Sequence, residues 1–105
     1  MAQWDVYPNP SARSRDDIPY LVNLQSNLFD ALPSRLVAPL ALTRLAPEGV
    51  PRALCPVFNI DGISVVLLPH EAGPIEARLL ERRVDSLLPH AHDVVAALDA
   101  LVSGF

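Results

Sequence analysis

Eleven prolines punctuate these 105 residues, at positions 8, 10, 19, 33, 39, 47, 51, 56, 69, 74 and 89. Each removes a backbone donor and disfavours helix at the residue before it. Only three proline-free stretches exceed twelve residues: 20–32, 75–88 and 90–105. Long helices are confined to those stretches, and the rest of the chain is expected to form short strands and turns.

Half the residues are hydrophobic and 19% are charged, which points to a packed core rather than to disorder. A chain of this length buries roughly two-thirds of its extended surface on folding. It is read as one domain over residues 1–105. No apolar run reaches the ~18 residues that a membrane span needs. Met1 to Asp5 lacks a charged region followed by an apolar block, so no secretory signal is visible. A soluble, cytoplasmic protein is expected, and the single cysteine, Cys55, fits a reducing compartment. The net charge is -4, whereas a chain binding nucleic acid through phosphates should be basic. All eight basic residues are Arg. The mean hydropathy of +0.26 is high for a small soluble monomer, and implies apolar surface covered by a partner chain.

Tyr20 to Asn27 reads as a strand. Tyr20, Val22 and Leu24 share one face and Leu21 places an apolar side chain on the other, so both faces are partly buried. Leu28-Phe29-Asp30 leads into a turn at 32–35, and Leu36 to Leu40 resumes as a strand in which Pro39 implies an edge or a bulge. Residues 46–51 are a loop by composition. Asp61-Gly62 between the β-prone runs 57–60 and 63–68 is the signature of a type I′ hairpin. The segment 75–88 has helical propensity, but its apolar spacing fits neither period. At the end of the chain, Pro89 suits a first helical position. Ala91, Val94, Val95, Leu98, Leu101 and Val102 then form one apolar stripe, and Gly104 is a stop signal. That stripe can cover the domain's own core or a second copy.

No residue pattern carries catalysis, a cofactor or a metal. His90 and His92 are two apart and do not share a helix face, and Asp93 does not repair that. His70-Glu71 is an exposed loop pair before it is an acid/base pair, and Cys55 has no base near it in sequence. Trp4 and Val6 share a face of a first strand, with Tyr7 on the other, as core residues. Ser11, Arg13, Ser14 and Arg15 form a polar loop that could recognise a carboxylate.

The order of these segments resembles the CcdB family, toxins of bacterial toxin–antitoxin pairs, over nearly the whole chain. The likeness begins at Val6-Tyr7 and the arginine-bearing loop. It is strongest at Leu24-Gln25-Ser26-Asn27-Leu28-Phe29-Asp30, similar to the family's strand-ending Val-Gln-Ser-Asp with two aliphatics and Asp. It continues through Arg35-Leu36-Val37-Ala38-Pro39-Leu40 and Pro56 to Gly62, and closes with the helix Pro89 to Val102 and Ser103-Gly104-Phe105.

The resemblance implies a mainly β fold: an SH3-like β-barrel with a small additional sheet and one C-terminal helix, with 75–88 partly strand. It implies a homodimer, an antitoxin partner with a disordered tail, and no enzymatic activity. Such toxins bind the A subunit of DNA gyrase and trap its cleaved-DNA complex. By position, the gyrase-binding residues are Leu28, Phe29, Asp99, Val102, Ser103, Gly104 and Phe105. Ser103 stands where a family member has a tryptophan that stacks on a gyrase arginine, a contact worth ~0.5–2 kcal/mol that a hydroxymethyl group does not supply. Two alternatives follow. A drifted homologue would keep its dimer and antitoxin but no longer poison gyrase. An mRNA-cleaving toxin of related fold would need a basic groove, against the acidic balance.

Overall fold

A computed structural model describes residues 1–104, and Phe105 lies outside the described residues. Seven strands, β1 (Asp5–Pro8), β2 (Tyr20–Asn23), β3 (Ser34–Leu42), β4 (Val57–Ile60), β5 (Ile63–Leu67), β6 (Gly73–Glu76) and β7 (Asp85–Ser86), precede α1 (Ala91–Ser103). The strands pair antiparallel in the order β4-β5-β3-β2-β1-β7, with β6 joined to β3 beside that path. The result is mainly β, a nearly closed, barrel-like sheet with one C-terminal helix. The small additional sheet appears in part, as β6 branching from the first half of β3.

The long β3 corrects the expectation for Pro39. The strand is central: β2 runs along one side, while β6 and then β5 share the other. Pairing to β6 ends at Val37 and pairing to β5 begins at Leu40. Even-numbered residues of β3 bond toward β2, as in the 2.8 Å bond from the Leu24 N–H to the Leu36 carbonyl. Pro39 therefore turns its donor-less nitrogen into the gap between the two partners, where no ladder bond is lost.

Strand parity sorts the core. Val6, Val22, Leu24, Ala38, Leu40, Val65 and Leu67 point to one side, where Trp4, Leu87 and α1 close the main core. The opposite parity places Tyr7, Leu21 and Val37 in a second cluster with Leu80, and Ala41 and Val66 in a third with Cys55 and Leu68. β2 is buried at every position, but the strand expected over Tyr20 to Asn27 ends at Asn23, and Asn27 already opens a 3-10 turn capped by Ser26. Each fully buried aliphatic here contributes about 1.5–3 kcal/mol relative to exposure. The hairpin is as expected, with positive φ at Asp61 (51°) and Gly62 (81°) and Ile60 opposite Ile63.

Two local expectations need correction, at Trp4 and Pro89, and one between them holds. Trp4 precedes β1 rather than opening it. Its φ is 75°, and its N–H reaches the Asn23 carbonyl at 2.7 Å, which swings the indole into the main core. Segment 75–88 is partly strand, in β6 and β7, as the resemblance implies, and forms no α-helix despite its propensity. Leu80 and Leu87 must enter different clusters, and Arg82 breaks the path at φ 61°. Pro89 lies in the 3-10 turn Leu88–His90, and α1 starts at Ala91.

Candidate functional site

The apolar stripe of α1 divides. Val94 and Ala97 are fully buried, with Ala91 and Leu98 packed beside them. Val95, Leu101 and Val102 are exposed. The helix is rotated so that the small Ala97, rather than Val95, enters the main core. The last turn of the helix is left displayed.

At that end Val102 is 86% exposed. The Ser103 hydroxyl donates to the Asp99 carbonyl at 2.6 Å, so it is tied back into its own helix. Gly104 adopts φ 80°, and its N–H caps the Ala100 carbonyl at 2.9 Å, the stop expected of it. Phe105 lies outside the described residues.

The second displayed surface is the 3-10 turn Asn27–Phe29. Ser26 caps it by accepting the Leu28 N–H at 3.2 Å. Leu28 is 89% exposed and Phe29 54%, with Leu32 half exposed behind them. Among the described residues no hydrogen bond joins this turn to α1. The helix packs chiefly on the turns Pro69–Glu71 and Leu88–His90.

The remaining candidates are dispersed. His90 packs at a tilt against Phe58, with ring centres 5.3 Å apart, while His92 faces Asp93 at 3.9 Å in solvent. No group of three His, Cys, Asp or Glu able to hold a metal occurs among the described residues. His70 and Glu71 are exposed. Arg15 donates to the Pro10 carbonyl at 3.0 Å and closes its own loop. Burial pushes the Cys55 thiol up, away from the thiolate a nucleophile needs. Burial, and then the Asp5 charge, pushes the Tyr7 phenol up.

An apolar cleft of about 340 Å³ escaped the sequence reading. Loop residues Pro47, Val50 and Leu54 face Pro69, Ala97 and Leu101 across it. Val50 and Leu54 in an otherwise loop-like stretch were its only local sign. Arg35 was missed as well. It shares parity with the buried Val37 and is itself buried, so the alternation alone pointed its side chain inward.

A small, nearly closed antiparallel barrel with one C-terminal helix, displaying apolar side chains on a turn and at the helix end, places the chain in the SH3-like barrel class. The family model described as CcdB protein matches residues 3–104, and the chain belongs to the CcdB family. That family places it among the toxins of toxin–antitoxin pairs. No curated protein matches the chain.

Proposed function

We propose that this chain is a toxin that binds the A subunit of DNA gyrase and traps its cleaved-DNA complex, acting by binding rather than by catalysis. The observation that carries the reading is the family match over residues 3–104. In this reading Leu28, Phe29, Asp99, Val102, Ser103, Gly104 and Phe105 form the gyrase-binding surface. The exposure of Leu28, Phe29 and Val102 supports it, because large apolar groups held in water favour a protein partner. The toxin acts as a cytoplasmic homodimer, which covers part of the remaining apolar surface and brings two copies of each patch into one assembly. A cognate antitoxin neutralises it through a tail that folds on binding. The test is induction of the chain in cells with ordinary gyrase and in cells with a toxin-resistant A subunit. Growth arrest confined to the first supports the proposal, and equal growth in both refutes it.

One observation favours a second reading. The Ser103 hydroxyl is already used by the Asp99 carbonyl and offers no aromatic face to a gyrase arginine. A drifted homologue would keep dimer and antitoxin and lose the poison. Ser103→Trp tests it: gyrase affinity gained by the variant over a non-binding parent supports drift, and nanomolar binding by the parent excludes it.

A further inference from the structure

The loop from Ser26 to Ser34 is held from inside by two polar side chains at its base. The Gln25 amide donates to the Phe29 carbonyl at 3.2 Å and to the Ser34 carbonyl at 3.1 Å, and its oxygen accepts the Leu36 N–H at 3.0 Å. Arg35 reaches back under the same loop. Its Nη1 donates to the Leu32 carbonyl at 2.6 Å and the Ser34 carbonyl at 2.9 Å, and its Nη2 donates to the Asp30 carbonyl at 2.9 Å. The Asp30 carboxylate lies 4.0 Å from Nη2.

The fork of a guanidinium suits this task, since it can address several carbonyls at once in one fixed plane. Arg35 is 6% exposed, and its buried Nε has no partner. An unpaired buried donor is unfavourable, so the side chain is placed by the loop carbonyls and not by full satisfaction of its own donors. Turned outward from these bonds are Leu28, Phe29 and Leu32, all exposed. A loop that only connected two strands could leave its carbonyls to water and would carry polar residues outside.

We infer that Gln25 and Arg35 are positioning residues that preform the loop 26–34, so that Leu28 and Phe29 meet a protein partner without an ordering step. The positioning role rests on the proposed gyrase reading, whereas the preformed loop does not. Preorganisation raises affinity by removing the entropy loss of ordering a loop on binding.

The experiment compares wild type, Gln25→Ala, Arg35→Lys and, as a control, the core variant Val65→Ala. Amide hydrogen exchange is read on each free protein, and affinity for the purified gyrase A subunit is read by calorimetry. Gln25→Ala and Arg35→Lys are expected to speed exchange at Phe29, Asp30 and Leu32 by about tenfold, with β2 and β5 amides unchanged, and to weaken gyrase binding five- to tenfold. Val65→Ala should lower the melting temperature but leave loop exchange and affinity as in wild type. Unchanged loop exchange in both polar variants overturns the preformed loop. Faster exchange with wild-type affinity overturns the positioning role. A wild-type chain that does not bind gyrase overturns the gyrase reading and the positioning role with it, while the exchange data still decide the loop.

Discussion

Truncating Leu28 and Phe29 separately should divide target binding from stability. The Leu28 side chain is 89% exposed, so Leu28→Ala removes almost nothing that the folded chain has buried. Its stability should stay within about 0.5 kcal/mol of wild type. If Leu28 is buried in the gyrase complex, the loss of three carbons at ~0.8 kcal/mol each comes to about 2 kcal/mol. At ~1.4 kcal/mol per tenfold, affinity should fall about thirtyfold. Phe29 is 54% exposed and has already buried about half of itself in the free chain. Phe29→Ala should therefore cost about 1 kcal/mol of stability, a fall of ~4–8 °C in melting temperature for a domain of this size. It should also weaken binding about tenfold. Calorimetric titration against the gyrase A subunit and thermal unfolding of the same samples provide both readouts. Wild-type affinity in Leu28→Ala refutes the placement of the contact on this turn. A drop of more than about 4 °C for Leu28→Ala refutes the account of Leu28 as a displayed side chain.

Leu67→Ala should destabilise the fold by about 2–5 kcal/mol, because Leu67 is fully buried in the main core and its removal leaves a cavity. Urea titration measures this, and a loss under about 1 kcal/mol would contradict the assigned packing. At the hairpin, an added Cβ on Gly62 meets nothing within 4 Å, so Gly62→Ala is costly only through its φ of 81°. That should be about 1–2 kcal/mol by thermal unfolding, with a neutral result arguing against the type I′ turn. Alkaline stability follows from burial. Folded Cys55 and Tyr7 hold their protons to higher pH than in the unfolded chain, where they titrate near 9.0 and 10.0. Above those values the unfolded state binds fewer protons than the folded one, so stability is complete at neutral pH and declines as pH rises through that range. Cys55→Ala should remove the earlier part of the decline, and an unchanged denaturation profile from pH 8 to 11 would count against the burial of the thiol.

Much of the fold was legible in local signals. Proline spacing left the C-terminal run as the place for a long helix. Asp61-Gly62 dictated its own turn, because both positions need positive φ. The two-faced apolar pattern within Tyr20 to Asn27 forecast a strand partly covered on both sides, though the strand ends at Asn23. Less of the candidate site could be read. The exposure of Leu28 and Val102 depends on which neighbours cover them, and nothing in their identity distinguishes a displayed leucine from a buried one. The inward alternation of Arg35 and Val37 was visible, but the carbonyls that Arg35 would meet belong to a loop whose path no local rule supplies.

By itself, then, the sequence determined where helix was forbidden, where the chain had to reverse, and which residues shared a strand face. Those are short-range consequences of missing donors, allowed φ and the two-residue period. Only the tertiary structure decided that β3 is central with Pro39 in the gap between two partners, that Leu80 and Leu87 enter different clusters, and that Ala97 rather than Val95 enters the main core. In each case the outcome depends on contacts between segments far apart in sequence, and packing against those distant segments outweighed the local preference.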